Sequence, residues 1–423
     1  MIKLRNSAFL KSISILTSGS IIAQLIVIIT SPILTRLYSP EDIGAYTYIL
    51  SISHLFMAVI NGRYDMSIVT EDDDDRVYAL VKLSILVCIF FSLLISFGYG
   101  VYFNFFSNKT SISNGVLIIL FMIILSYGVI NVLNAFNNRN KEYALMSSLY
   151  IVRSASQNFG AILLSAFNIE VMGLLIPYVF GQGIGIKRQA KSLLRHYNKL
   201  KKVSLNDVLE VAQLHKKQPI FSAPAIFANS FSYSSITIFI EMLFGMGVVG
   251  FYSVSFRVLG IPLSVISGNV SRVFFEDASR EFIHTGQFFK SFKKTVAFLT
   301  VIAIPMVIAM MYVVPSFVSL LFGKGWEEAG VYIKIFAPMF GIRFIVSSIS
   351  LGTLVAKKQN YELLIQTLFI VVSISTYIIS KLLNLSVVKY LYIISISFSI
   401  IYMLNFILIY NLSKSDTRRN NND

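Results

Sequence analysis

The sequence contains little of what builds disulfides, metal sites or soluble surfaces. Its 423 residues include one cysteine, Cys88, so neither a disulfide framework nor a cysteine-based metal site can form within the chain. The four histidines are too scattered to predict a zinc site; they are His54, His196, His215 and His284. Only 13% of the residues are charged, about half the share in a soluble domain. These shortages argue against a disulfide-rich secreted protein, a zinc protein and a soluble enzyme.

Motifs for nucleotide binding and metal catalysis are also missing. The glycine-rich run 181–185 lacks the lysine of a phosphate-binding loop, so we interpret it as a helix-packing motif. The acidic run 71–75 has the carboxylate spacing that sugar-nucleotide transferases use for a metal, but its loop is too short to hold a nucleotide-sugar domain. We therefore predict a solvated charge run, no metal and no cofactor. Energy must then come from an ion gradient, the membrane potential or the cargo gradient.

Apolar residues and positive charge are in excess. Hydrophobic residues make up 55% of the chain, more than a soluble core can bury, and the net charge is +15. Segments of about 17–25 mostly apolar residues predict membrane-spanning helices. Twelve segments qualify: 9–34, 43–62, 78–103, 116–136, 143–167, 169–186, 220–243, 248–274, 295–320, 330–355, 361–382 and 390–412. The basic start of the chain leads into the first of them without a signal-peptide cleavage site, so we expect that span to be retained.

The loops between these spans alternate in charge. One set of loops holds 27 basic residues and the other set holds only 5. Because basic loops stay in the cytoplasm, both termini and the long loop 187–218 are predicted to be cytoplasmic. Within that loop, Ser204 and Asp207 fit a capping box, which predicts a short helix after Ser204.

The chain looks internally duplicated. Residues 37–46 align without gaps on residues 243–252, with matching leucine, glycine and tyrosine, and both segments join the first and second spans of a half. The fold class predicted is an all-α membrane protein with two six-helix bundles, related by a pseudo-twofold axis along the membrane normal, and a site between them. The predicted domains are a bundle at 1–186, a basic linker at 187–218, a bundle at 219–412 and a tail at 413–423.

Three stretches carry a family resemblance: 34–44, 246–252 and 273–279. With them the chain resembles the polysaccharide transporter family, the O-antigen and capsule repeat-unit flippases of the multidrug/oligosaccharidyl-lipid/polysaccharide exporter superfamily. The resemblance implies a non-enzymatic flippase of the bacterial inner membrane that moves undecaprenyl-pyrophosphate-linked oligosaccharide. It implies a polyprenyl-pyrophosphate-linked glycan and membrane lipid as partners, with a glycan polymerase and a chain-length regulator as further partners, and no nucleic acid.

Basic residues within or beside the spans are the candidate site. A charge at the centre of a membrane helix costs about 2.5–3.5 kcal/mol, so such residues need partners or a water-filled cavity. The predicted substrate-binding set, a cationic cavity for an anionic pyrophosphate, is Arg257, Arg153, Arg343, Lys334 and Arg63. The predicted coupling or counter-ion residues are Glu241 and Asp65. The alternative, that each arginine snorkels or pairs locally for structure, stays open.

Two other functions remain as alternatives. An ion-coupled multidrug or cation extruder of the same superfamily should have a carboxylate-rich cavity, and this sequence has few carboxylates within its spans. A membrane polysaccharide polymerase should carry a large external loop for catalysis. The longest external connection, at about 104–115, is too short for that role.

Overall fold

The computed structural model describes residues 2–106, 114–358 and 360–415, and every regular element in these ranges is a helix. The predicted external connection at 104–115 and the predicted tail at 413–423 lie partly outside the described residues. The chain divides into two compact units, the first comprising Met1–Tyr38 and Tyr48–Ser234 and the second comprising Ser39–Thr47 and Ser235–Asp423. The domain boundaries predicted at residues 186, 218 and 412 stay predictions.

The first unit contains the first half of the predicted spans and the linker. Its helices, with α2 and α12 shared between the units, are α1 (Ile2–Leu37), α2 (Pro40–Met57), α3 (Tyr64–Thr70), α4 (Asp74–Phe106), α5 (Asn114–Arg139), α6 (Tyr143–Leu164), α7 (Met172–Gly183), α8 (Ile186–Gln189), α9 (Lys191–Leu194), α10 (Tyr197–Lys202), α11 (Leu205–Leu214) and α12 (Ala223–Phe244). The main packing pairs are α1 with α6, α6 with α7 and α4 with α5.

The second unit contains the other spans. Its helices are α13 (Met246–Pro262), α14 (Gly268–Thr285), α15 (Phe289–Ile308), α16 (Val314–Phe322), α17 (Glu327–Ile349), α18 (Gly352–Val355), α19 (Asn360–Leu382) and α20 (Val387–Lys414). α17 is the central helix, because it packs against α13, α15, α16 and α20. A π-helical segment, Leu263–Ser267, joins α13 to α14 directly after Pro262, whose ring removes a backbone donor.

All twelve predicted spans are helical. Within the described ranges, eight helices are long and apolar enough to cross a membrane, and a bent pair, Gln218–Ser232 with Ser234–Phe244, makes a ninth. The remaining three spans correspond to α2, α6 and α7. α7 has only 12 residues, a length of about 18 Å, and α6 carries a buried arginine among its polar residues. The predicted all-α, multi-pass membrane fold is confirmed.

The two segments that align in sequence pack against each other. From Ser39 onward both belong to the second unit, where α2 begins at Pro40 and α13 begins at Met246. A Cβ atom at Gly44 would lie 1.8 Å from the carbonyl oxygen of Met246, and a Cβ atom at Gly250 would lie 2.0 Å from the carbonyl oxygen of Pro40. Gly44 and Gly250 occupy equivalent positions of the repeat, so the contact is reciprocal. Two helix backbones can approach this closely only where both residues lack a side chain.

The linker between the spans folds onto the first unit. The side chain of Ser204 accepts a hydrogen bond from the backbone N–H of Asp207, whose carboxylate accepts one from the backbone N–H of Ser204, so the predicted capping box is present. These hydrogen bonds lower the pKa of Asp207 below its ordinary value. Val208 and Val211 of α11 are buried in a cluster with α3 and α4. The linker is therefore anchored to this unit.

Candidate functional site

Two of the predicted arginines lie on α13 and α17, two helices that pack against each other in the second unit. α13 packs against α17, where the ring of Phe256 lies 5.4 Å from that of Phe336 and 4.9 Å from that of Phe340. The guanidinium of Arg343 lies over the Phe340 ring, 5.3 Å from its centroid, a cation–π arrangement. Arg257 follows Phe256 on α13 and is half-buried. The buried aromatic rings, which sequence reasoning did not single out, hold the two helices together at this point.

Lys334 does not share this arrangement. Its side chain is exposed on α17, nine residues before Arg343. Nine residues at about 100° each amount to two and a half turns, so Lys334 and Arg343 lie on opposite faces of the helix. Near the other arginine, Tyr46 of α2 is an electrostatic neighbour of Arg257. Glu241, in the last turns of α12, is buried with 7% of its surface exposed.

Arg153 is engaged within the first unit. It is buried on α6, where its Nε donates to the carbonyl oxygen of Ile184 at 3.1 Å and its Nη2 donates to Oε1 of Gln189 at 2.9 Å. The amide of Gln189 then donates to Oδ1 of Asn134 at 2.6 Å. Arg153 therefore ties α6 to the segment between α7 and α8, and through Gln189 to α5. Its Nη1 lies outside these hydrogen bonds.

Arg63 and Asp65 lie at a break in the second span. α2 ends at Met57, five residues before the predicted end of the span, and turns lead to Gly62 and Arg63, which have φ angles of 60° and 64°. The side chain of Asn131 donates to the exposed carbonyl oxygen of Met57 at 2.8 Å.

The charges at this break are incompletely paired. Asp65, at the start of α3, is 7% exposed, and its Oδ1 is buried without a hydrogen-bond partner, as is the Nε of Arg63. Burial raises the pKa of Asp65 above its ordinary value, and the nearby charge of Arg63 opposes this effect. The structure thus brings Arg63 and Asp65 together and leaves both with unused hydrogen-bonding capacity.

A polar chain in the first unit was missed in the sequence. His54 of α2, Tyr127 of α5 and Tyr178 of α7 are linked by hydrogen bonds, although they are 73 and 51 residues apart in sequence. The four histidines lack zinc-like spacing, so nothing in the sequence singles out His54. No short-range pattern could have shown that three separate helices would bring these groups together.

Basic side chains pair with carboxylates of the acidic run 71–75. Glu71 pairs with His215 at 2.9 Å, and Asp74 pairs with Arg139 at 3.0 Å. Asp75 lies 3.8 Å from Lys199 of the linker. Within the described ranges there is no group of three or more potential metal ligands. The run therefore holds the linker and the start of α4 in place.

Comparison with known proteins identifies the family. Residues 33–331 match a family described as "Polysaccharide biosynthesis protein". The chain belongs to this family. A Staphylococcus aureus relative, described as "Capsular polysaccharide biosynthesis protein CapF", is 26% identical over 373 residues, covering 82% of this chain and 87% of the relative. The resemblance inferred from the sequence is confirmed.

Solved structures show the same fold at low identity. The lipid II flippase MurJ, in an inward closed conformation, has a TM-score of 0.68 and 13% identity, with 94% of this chain and 89% of that chain covered. An inward-facing multidrug resistance transporter of the MATE family has a TM-score of 0.65 and 11% identity, covering 93% and 96%. With the family match, this fold supports a flippase or transporter role in polysaccharide biosynthesis.

Proposed function

We propose that this chain is a flippase for undecaprenyl-pyrophosphate-linked oligosaccharide repeat units, acting in the bacterial inner membrane during capsule or O-antigen assembly. The observation that carries the proposal is the match of residues 33–331 to a polysaccharide biosynthesis family. The charge balance supports an anionic cargo, because Arg153, Arg257, Lys334 and Arg343 lie well inside the predicted spans, where carboxylates are few. The protein carries out no covalent chemistry in this proposal.

The cationic residues have different roles in binding the pyrophosphate. Arg257 and Arg343 are its main ligands, because they lie on the packed helices α13 and α17 and a guanidinium forms bidentate charged hydrogen bonds with phosphate. Arg153 offers its remaining nitrogen and otherwise positions α7 and α8. Lys334 adds a point charge on the other face of α17, and Arg63 adds one at the helix break.

Two carboxylates serve as counter-ion or coupling groups in this proposal. Asp65 is supported by its burial and by an oxygen without a hydrogen-bond partner. Glu241 is supported by its burial near the end of α12. A buried carboxylate that changes protonation or partner during transport would link cargo movement to an ion gradient.

The proposed orientation places both termini and the linker in the cytoplasm. It follows from the 27-to-5 distribution of basic residues between the two sets of loops. A glycan polymerase and a chain-length regulator are the proposed downstream partners, because a translocated repeat unit must be joined to others outside the cytoplasm. A reporter that is active only outside the cytoplasm should stay inactive when fused after residue 199 or residue 411.

Gene deletion with complementation tests the cargo class. Loss of the chain should remove surface glycan and cause lipid-linked repeat units to accumulate on the cytoplasmic side. Complementation with the intact chain should restore the glycan, and a Lys381→Ala variant serves as a matched control because Lys381 lies in the last turn of α19, outside the proposed site. Unchanged surface glycan together with raised sensitivity to cationic drugs would instead establish the extruder function.

A further inference from the structure

A hydrogen-bonded chain crosses three helices of the first unit. The Nε2 atom of His54 lies 2.8 Å from the hydroxyl oxygen of Tyr127, and the hydroxyl groups of Tyr127 and Tyr178 share a hydrogen bond. Tyr178 also interacts through a hydrogen bond with the side chain of Gln182, one turn along α7. The chain therefore runs from α2 through α5 to α7 and consists entirely of side chains that can donate and accept protons.

The two ends of this chain differ in exposure. His54 is exposed, whereas Tyr127 and Tyr178 are buried with 7% of their surfaces accessible. The Nδ1 atom of His54 has no hydrogen-bond partner among the described residues. One ring nitrogen is thus held by a buried phenol while the other is open. A polar ring on a membrane helix is costly in lipid, so its open nitrogen is expected to face water.

Histidine is suited to bind a proton here. Its ordinary pKa lies near neutrality, so it can gain and lose a proton within the physiological range. In the tautomer that carries its proton on Nε2, the neutral ring donates to the Tyr127 oxygen, and a proton from water binds the lone pair of Nδ1. The resulting imidazolium keeps its bond to Tyr127, whose own O–H can donate to Tyr178. Only an N–H bond forms in this step, and the hydroxyl dipoles of Tyr127 and Tyr178 together stabilise the positive charge of the ring.

Other titratable or charged groups near these helices are committed elsewhere or lie at the ends of the unit. Cys88 of α4 packs against α5, where a Cβ atom at Gly128 would meet its sulfur at 2.1 Å. The guanidinium of Arg153 on α6 is bonded to Ile184 and Gln189. Arg63 and Asp65 follow the end of α2, the helix that carries His54.

We propose that the His54–Tyr127–Tyr178 chain is the binding site for a coupling proton, so that cargo moves together with, or in exchange for, one proton. This inference rests on the proposed flippase function and names its coupling ion, and it leaves Asp65 and Glu241 the counter-ion role. An alternating-access cycle needs an ion site that is loaded on one side of the membrane and emptied on the other. An exposed imidazole bonded to a buried phenol pair meets that requirement.

The test uses the full chain in lipid vesicles with an imposed pH difference. The probe is the lipid-linked glycan extracted from a strain that lacks the gene, and a membrane-impermeant oxidant measures its share in the outer leaflet. With one proton per cycle, the steady-state ratio between the leaflets should change about tenfold per unit of pH difference, since a factor of ten corresponds to about 1.4 kcal/mol. His54→Gln keeps a hydrogen bond to Tyr127 but cannot hold the proton, so the ratio of glycan between the leaflets should not change with the pH difference in this variant.

Controls separate this inference from the proposed function. His284→Gln should keep the tenfold response, because His284 is exposed at the end of α14 and outside the chain of hydrogen bonds. A wild-type protein that moves the glycan with no response to the pH difference would overturn the proton site and leave the flippase function standing. A His54→Gln variant that keeps the full response would also overturn the site. No movement of the glycan by the wild type would contradict the proposed function itself.

A second variant and a spectroscopic measurement test the proposal if His54→Gln misfolds. If His54→Gln does not assemble, Tyr127→Phe removes the phenol partner with a smaller change in shape, and it should slow proton-driven movement while cargo still equilibrates. Selective ¹⁵N labelling of the four histidines, with His54 assigned by its substitution, should show reversible protonation at Nδ1 in lipid. A ring that stays neutral from pH 5 to pH 8 would rule out the proposal.

Discussion

Replacing Gly250 by alanine should disrupt the reciprocal contact between α2 and α13. The added Cβ atom would lie 2.0 Å from the carbonyl oxygen of Pro40, whereas ordinary contact begins at 3.4 Å, so the backbones must separate by about 1.4 Å. The obstructing atom belongs to the backbone and cannot rotate away. Overpacking of this kind costs about 1–3 kcal/mol. For a unit of this size, that corresponds to a melting temperature lower by about 2–12 °C.

The assay is thermal unfolding of the purified protein, followed by size-exclusion chromatography with fluorescence detection. Gly260→Ala is the matched control, because Gly260 lies in the same helix and no atom lies within 4 Å of its added Cβ. Alanine there should leave the melting temperature unchanged or raise it, since alanine favours a helix over glycine by about 0.5–1 kcal/mol. Equal melting temperatures for Gly250→Ala and Gly260→Ala would refute the close packing of the repeated segments.

Three further substitutions follow from the site. Arg257→Ala should strongly reduce surface glycan while the amount of protein in the membrane stays near normal. Arg257→Lys should restore part of the glycan, and Arg257→Glu should give the least. Normal surface glycan in the alanine variant would exclude cargo binding by Arg257. Arg153→Ala should lower the free energy of unfolding by about 1–3 kcal/mol, measured by thermal unfolding, because the buried amide oxygen of Gln189 loses its donor. Asp65→Asn should stabilise the protein at neutral pH. Its raised folded pKa means that the folded state binds more protons, so wild-type stability falls as pH rises above the ordinary carboxyl pKa, and the variant should lack that fall in unfolding measured against pH.

The fold could be predicted because its signals are local. Each span is recognisable from its own apolar residues, and the capping box at Ser204 is contained within four residues. The break after α2 was not predicted, because residues 58–62 are apolar enough to continue a helix; only the positive φ angles of Gly62 and Arg63 show the turn. Alignment of the repeats paired Gly44 with Gly250, but an alignment gives no information on whether equivalent positions touch.

The candidate site was predictable as a set of residue types and less so as an arrangement. Spacing alone could have shown that Lys334 and Arg343 lie on opposite faces of one helix. The hydrogen bonds of Arg153 depend on Ile184 and Gln189, which are 31 and 36 residues away in sequence. The cation–π contact of Arg343 is local, because Phe340 lies three residues before it on the same helix. The roles assigned to the seven candidate residues stay predictions.

Direct observation of glycan movement tests the central claim. The purified chain would be placed in vesicles containing the lipid-linked glycan, and a membrane-impermeant oxidant added outside would modify only the sugars it can reach. In protein-free vesicles the inner-leaflet share should stay protected. With the protein present, nearly all of the glycan should react as it crosses to the outer leaflet. If the protected share persists in vesicles that hold folded protein, the chain is not a flippase for this cargo.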